Sequence, residues 1–122
     1  MFINLTNHPS STWSEEQRRE AEGLGGEIVD YPFPEVPPEA SSEDVVSLAK
    51  EIFDDIMGRY GTEGLVVLVQ GEFTLTVALV SLFTKAGVMT VCATTKRVVK
   101  ENPDGSITRW FQFVQFREYK LP

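Results

Sequence analysis

The chain has 122 residues and a formal net charge of −7, with 18 acidic and 11 basic side chains. This length fits one domain with its own apolar core. The excess of acidic side chains argues against a protein that wraps a long nucleic acid. The single cysteine, Cys92, excludes an intramolecular disulfide and fits a cytoplasmic protein. No apolar run is long enough to span a bilayer, and residues 1–5 do not resemble a signal peptide. We therefore expect one cytoplasmic domain over 1–122 without membrane contact.

The first half of the chain predicts strands and helices in alternation. Ser14 with Gln17 forms a capping box for one helix, and Glu43 with Asp44 gives a second helix the acidic first turn that its dipole favours. Four prolines between the second strand and the second helix predict a stiff extended connection. The predicted elements are a strand over 2–5, a helix over 15–22 ended by Gly23 or Gly25-Gly26, a strand over 27–30, and a helix from Ser41 or Ser42 to near Gly58 or Gly61.

The most informative stretch is the aliphatic run 65–69. Five consecutive valine and leucine residues predict a strand buried on both faces, in the middle of a parallel sheet. After Gln70-Gly71 the apolar spacing changes to that of a helix over 75–86, and Gly87 stands where a helix commonly ends. A fourth strand is predicted over 89–93.

The C-terminal third predicts a hairpin. The segments 97–100 and 107–116 flank Asn102-Pro103-Asp104-Gly105, whose residues are typical of a turn. The order β-α-β-α-β-α-β before it predicts a parallel α/β sheet with helices on both faces, Rossmann-like or flavodoxin-like, extended by a C-terminal antiparallel hairpin. The hairpin's aromatic side chains exceed what a two-stranded ribbon can bury, which predicts a homodimer interface.

Three polar segments follow strands of the predicted sheet, at the edge where such sheets bind ligands. Lys96 and Arg97 are adjacent cations suited to phosphate, and the helix after Gly71 offers N–H groups to an anion. Together these features predict a phosphate-bearing small ligand, with neither metal nor cofactor. The candidate binding residues are Asn7, Ser10, Ser11, Gln70, Gly71, Glu72, Phe73, Thr74, Thr94 and Thr95. The same segments contain two cations, Lys96 and Arg97, and one imidazole, His8.

Each candidate also has a purely structural interpretation. A single histidine beside a proline, such as His8, is commonly a turn residue, and Glu72 is a carboxylate favoured at a helix start by the dipole. The Lys96-Arg97 pair has the composition of a solvated surface pair. Trp13 and Trp110 can stack on a base, although aromatic side chains of this kind more often pack within the protein or at an interface.

Four segments resemble the small ring nucleases of type III systems within the CRISPR-associated Rossmann-fold superfamily. The segments are the first strand with Asn7-His8; Gln70-Gly71-Glu72-Phe73; Ala93-Thr94-Thr95-Lys96-Arg97; and Phe113-Val114-Gln115-Phe116-Arg117-Glu118-Tyr119. The resemblance implies a homodimer that binds a cyclic oligoadenylate across its two-fold axis and switches off antiviral signalling. Some relatives cleave the ring without metal, by attack of a ribose 2′-OH on the adjacent phosphate.

If the chain is such an enzyme, geometry supplies much of the acceleration, because the 2′-OH already lies beside its phosphate. Lys96, Arg97 and His8 are then the candidate catalytic residues: Lys96 and Arg97 are expected to stabilise the developing charge, and His8 or Ser10 to assist proton transfer. A binding module that senses or sequesters the nucleotide without cleaving it is the alternative. A flavodoxin-like protein for another mononucleotide, or a scaffold without a small ligand, also fits the fold.

Overall fold

The computed structural model describes residues 1–122 and shows an α/β chain with one five-stranded mixed sheet. A 3-10 turn over Ser10–Thr12 precedes the first helix. None of the helices is both long and apolar enough to cross a membrane. The strands are β1 (Phe2–Leu5), β2 (Ile28–Asp30), β3 (Val66–Val69), β4 (Met89–Glu101) and β5 (Ile107–Glu118), and the helices are α1 (Glu15–Gly25), α2 (Ser42–Tyr60) and α3 (Phe73–Lys85).

The aliphatic stretch identified in the sequence is the middle strand of the sheet, as predicted. The strand order is β2-β1-β3-β4-β5, so two strands lie on each side of β3. The first four strands are mutually parallel, and β5 runs antiparallel to β4. All four residues of β3 are buried, because both faces of the strand are covered.

Helices cover both faces of the sheet. Alternate residues of β1 and β3 point to opposite sides, which separates the core into two clusters. The larger cluster joins Ile3 and Val67 to α2 and α3, and the smaller joins Phe2 and Val66 to Ala21 of α1. The side of the sheet that carries α1 is called the α1 face below, and the opposite side the α3 face.

The predicted capping hydroxyls are confirmed, although the Ser14 cap lacks the reciprocal bond of a capping box, and the helix bounds shift by a few residues. The Ser14 hydroxyl accepts from the Gln17 N–H, and Ser41 and Asp44 form a reciprocal capping box. The first helix continues past Gly23 to Gly25, and Gly26 takes the positive φ of 85° that ends it. The third helix begins two residues before Leu75, at Phe73, because Glu72 caps it.

One prediction about the C-terminal third is wrong. The sequence pattern predicts that Thr94-Thr95-Lys96-Arg97 leaves the fourth strand as a polar segment, but these residues lie inside the continuous strand β4. Thr94 and Thr95 are β-branched and suit an extended backbone, and β5 pairs with β4 along nearly its whole length. The outer half of the β4–β5 pair therefore extends beyond the parallel part of the sheet, and we call it the hairpin arm.

A β-bulge orients the aromatic residues of β5. Thr94 pairs with Gln115 and Thr95 with Phe113, so Val114 is an extra residue on β5. Phe116 pairs with Ala93, which belongs to the core under α1. Phe113 and Phe116 are three residues apart and would point to opposite faces of a regular strand. Because Val114 is an extra residue, Phe111, Phe113 and Phe116 all lie on the α1 face.

Candidate ligand-binding site

A cavity opens at the carboxyl ends of β1 and β3, on the α1 face. The chain passes from β1 to β2 on one side, while β3 lies on the other side of β1. Such a reversal of strand order leaves a crevice where open α/β sheets bind ligands. The cavity has a volume of about 440 Å³, within the usual range for small-molecule sites. We call it the crevice cavity, and its lining consists of Thr6, His8, Thr12, Trp13, Gln17, Leu68, Gln70, Ala93, Thr95 and Phe111.

A buried asparagine fixes the loop that carries His8. Asn4 is only 1% exposed, and its side-chain N–H groups donate to the His8 carbonyl at 2.8 Å and to Asp30 at 2.9 Å. The Thr6 hydroxyl donates to the Asn4 side-chain oxygen at 2.8 Å, and the His8 N–H donates to that hydroxyl at 3.0 Å. The backbone at His8 is therefore held to β1, while its imidazole remains exposed at the cavity.

Asp30 completes the support of this loop. Its carboxylate accepts from the backbone N–H of Ser10 at 3.1 Å and from the Ser10 hydroxyl at 3.1 Å. Partial burial alone would raise the pKa of Asp30, but hydrogen bonds from Asn4 and Ser10, with the nearby charge of Arg18, lower it below its usual value. The Ser10 hydroxyl, a predicted ligand-binding group, is thus bonded to Asp30 and does not line the cavity.

Gln70 is positioned by the neighbouring strand. Its side-chain oxygen accepts from the Ala93 N–H at 2.6 Å. The two side-chain N–H donors of Gln70 are not used in this bond and can donate to a ligand. The Tyr119 hydroxyl donates to the Val69 carbonyl at 2.8 Å and so anchors the end of β3 just before Gln70. Burial and the adjacent Cys92 raise the pKa of Tyr119 to about 12, so this hydroxyl stays a donor at physiological pH.

Two aromatic side chains form walls of the cavity. Trp13 packs edge-on against Phe2, with ring centroids 6.1 Å apart, and tilts against Phe116 at 6.2 Å. Phe111 is 73% exposed on the hairpin arm. The cavity therefore has one wall fixed in the core and one that offers an open ring face, an arrangement that suits a planar ligand.

The α3 face of the crevice is closed by the proline-rich connection. A Cβ on Gly71 would lie 2.4 Å from the Phe33 ring, which is itself buried. The Phe33 N–H donates to the Thr6 carbonyl at 3.3 Å and ties the connection to the end of β1. Gly71 is therefore required for close packing, and it does not line the cavity.

Two N–H groups at the start of α3, which the sequence pattern offers to an anion, are bonded to the side chain of Glu72. The Glu72 carboxylate accepts from the Thr74 N–H, the Leu75 N–H and the Thr74 hydroxyl. The hydrogen bond from the Thr74 hydroxyl is the main reason that the pKa of Glu72 is lowered. Glu72 and Thr74 thus satisfy each other, and Phe73 is 87% exposed outside the cavity.

The predicted cations lie on opposite faces of β4. Cross-strand partners share a face; Arg97 pairs with Phe111, on the α1 face, and Lys96 pairs with Gln112, on the α3 face. Lys96 and Arg97 therefore do not meet at one ligand within a protomer. Arg97 borders a separate hairpin cavity, and the Thr94 hydroxyl donates to the Gln115 carbonyl at 3.0 Å.

Of the predicted site residues, His8, Gln70 and Thr95 line the crevice cavity. Asn7 borders a smaller cavity beside Asp30, and Ser11 is exposed outside both. His8 is the only titratable side chain in the lining, which contains no lysine, arginine, aspartate or glutamate. The lining residues that sequence reasoning did not assign to the site are Thr6, Thr12, Trp13, Gln17, Leu68, Ala93 and Phe111. Gln17 could have been found, because the first turn of a helix that follows β1 borders such a crevice.

Comparison with known proteins identifies the family. The sequence model of the Uncharacterized protein MJ1673 family matches residues 1–117. The chain belongs to this family. The match covers every strand and helix of the fold except Glu118, the last residue of β5. No curated protein and no solved structure matches the chain.

Proposed function

We propose that this member of the MJ1673 family binds a cyclic oligoadenylate as a homodimer and cleaves it without metal. The observation that carries the proposal is the uncharged crevice cavity, with aromatic walls at Trp13 and Phe111 and two glutamines in its lining. On this proposal the sheet and its helices form a Rossmann-like domain of the CRISPR-associated type. The protein would act in the cytoplasm, where it would switch off type III signalling.

An adenine base matches the chemistry of the cavity. Its flat ring stacks on aromatic side chains, and Phe111 presents an exposed ring face. The base edge carries both donors and acceptors, which the amide of Gln70 and the amide of Gln17 complement. The volume of about 440 Å³ fits one nucleotide unit rather than a whole ring. A ring of four or six units therefore needs two such cavities, which a two-fold dimer provides.

Exposed apolar residues of the hairpin arm support the dimer. They are Val99, Ile107, Trp110, Phe111 and Val114. Exposed apolar side chains concentrated in one region of a protein commonly mark an interface. Because β5 is an edge strand with one side unpaired, a second copy also has backbone groups available to it.

We expect the protein to sediment as a dimer of twice the 13.7 kDa chain mass. Val114→Lys should yield a monomer, because a charge would be buried in the proposed interface. Val46→Lys on α2 is the matched control, since Val46 and Val114 are both 43% exposed, and it should remain a dimer. A wild-type protein that sediments at the mass of one chain at micromolar concentration would contradict the dimer.

The proposed reaction is an internal transesterification. The ribose 2′-oxygen attacks the adjacent phosphorus while its proton passes to a base, and the bond from phosphorus to the 5′-oxygen breaks. The 5′-oxygen takes up a proton, and the products carry a 2′,3′-cyclic phosphate and a 5′-hydroxyl. His8 carries the only imidazole in the cavity lining, and imidazole is the side chain that most often acts as a general acid or base, so we assign it the proton transfer.

We expect His8→Asn to lower the cleavage rate about 100-fold or more, the usual contribution of a general acid or base. Affinity for cyclic tetra-adenylate should change much less, because His8 is one of ten lining residues. Calorimetry gives the affinity, and separation of products in excess chelator gives the rate. Ser11→Ala, a neighbouring exposed position, is the control. Equal rates for the His8→Asn variant and the wild type would exclude this role.

A sensor that binds the ring without cleaving it is the second candidate. One observation favours it: the lining contains no cation to stabilise a pentavalent phosphate. Recovery of the intact cyclic ligand after prolonged incubation with wild-type protein would support the sensor. The absence of binding to cyclic tetra- and hexa-adenylate would contradict both candidates.

A further inference from the structure

The hairpin arm carries positive charge on an otherwise acidic molecule. Four of the 11 basic residues lie on the arm, which has only two acidic residues, Glu101 and Asp104; the four are Lys96, Arg97, Lys100 and Arg109. The chain before Met89 has 15 acidic and five basic residues. Anionic ligands are attracted to the local potential rather than to the net charge of the protein, so the arm is the part of this molecule that suits a phosphate.

Two arginines and two aromatic residues enclose a second cavity on the arm. Its volume is about 260 Å³, and Arg97, Arg109, Trp110 and Phe111 are its only lining residues. We call it the arginine cavity. Neither arginine belongs to an ion pair, since the salt bridges of the structure are Asp55–Arg59 and Glu118–Lys120. Both guanidinium groups therefore retain their donors for a ligand.

The strand register places the two arginines on one face. Arg97 pairs with Phe111, and Arg109 precedes Phe111 by two residues on β5. Arg109 is thus the diagonal neighbour of Arg97, at about 7–8 Å. Arginine side chains are long enough to converge on one phosphate from that separation, and a guanidinium can donate two parallel hydrogen bonds to it.

Phe111 connects the two cavities, because it lines both. A nucleotide whose base stacks on Phe111 would have its phosphate within the range of the arginines. We propose that Arg97 and Arg109 form a phosphodiester-binding site for the nucleotide whose base occupies the crevice cavity. This site rests on the proposed function for the identity of the ligand, and it adds Arg97 and Arg109 to the residues that bind it.

We expect Arg97→Gln and Arg109→Gln each to weaken binding of cyclic tetra-adenylate about 10-fold, and the double variant to weaken it 100-fold or more. The slope of log affinity against log salt should become shallower in the double variant, by about 0.7 for each phosphate that the arginines no longer neutralise. Arg19→Gln removes the same charge from an exposed position on α1 and should leave affinity unchanged. Arg109→Lys keeps the charge but not the planar fork, and should fall between wild type and Arg109→Gln.

Titration of the same proteins with linear tetra-adenylate separates this proposal from the proposed function. Arginine-dependent binding of the linear probe without binding of the cyclic one would overturn the proposed function and retain the arginine site. Equal affinity of the wild type and the double variant for the cyclic probe would overturn the arginine site and retain the proposed function. An equally weakened Arg19→Gln variant would show a general charge effect and overturn the site, and no binding of either probe overturns both proposals.

Discussion

Asn4→Asp is expected to destabilise the fold by about 3 kcal/mol or more at neutral pH. The side chain is 1% exposed and donates to Asp30 and to the His8 carbonyl. The substitution removes both donors and sets a new carboxylate against the carboxylate of Asp30. Two carboxylates this close together cannot both ionise without a large penalty. Denaturant unfolding monitored by tryptophan fluorescence measures the change in stability.

The stability deficit of this variant should shrink as the pH falls. In the wild type the pKa of Asp30 is lowered, so its ionised form stabilises the fold above the unfolded pKa, and this stabilisation is lost as the pH falls through the folded pKa. In the variant, protonation also relieves the repulsion. Gln112→Glu makes the same change from amide to carboxylate at an exposed position on β5, away from Asp30, and should cost little. A deficit independent of pH, or one equal to that of Gln112→Glu, would contradict the role of Asn4.

Gly71→Ala is expected to lower the free energy of unfolding by about 1–3 kcal/mol. Its Cβ would lie 2.4 Å from the ring of Phe33, so the buried ring must move out of its packed position. Gly58→Ala is the matched control, because it lies within α2 with no atom in the way. That change should stabilise the protein by about 0.5–1 kcal/mol, as glycine is unfavourable inside a helix.

A double-mutant cycle with Phe33→Ala tests the cause of the Gly71 effect. If the clash with the ring destabilises the Gly71→Ala variant, the double variant should be destabilised by less than the sum of the two single variants. Additive effects would show that Gly71 is needed for another reason.

The sheet core and the helix starts can be predicted because their signals are local. The run 65–69 indicates a doubly buried strand from composition alone, and Ser14 with Gln17 indicates a cap from a spacing of three residues. The helix ends at Gly26 and Gly61 follow from the positive φ that both adopt. Burial and capping thus leave a periodic or short-range pattern in the sequence.

The candidate site can be predicted only in part, because much of it depends on contacts between distant residues. The contact of Gly71 with Phe33 and the hydrogen bond of Asn4 to Asp30 have no local signature. The sequence does not predict that β4 continues past Ala93, because the second half of this strand is stabilised by its pairing with β5. A strand also places Lys96 and Arg97 on opposite faces, which adjacency in the sequence does not reveal.

The hairpin arm is not stabilised by burial against the rest of the protein. Between Thr95 and Gln112 no residue is buried, and a two-stranded ribbon alone is only marginally stable in water. The arm should therefore open locally, with faster amide hydrogen exchange than β1 or β3 and without global unfolding. A ligand that bridges Arg97 and Arg109 would order the arm, and part of its binding energy would offset the loss of that freedom. Its affinity would then depend on how well the arm is already ordered, which makes the arm a point at which a second copy of the chain can influence binding.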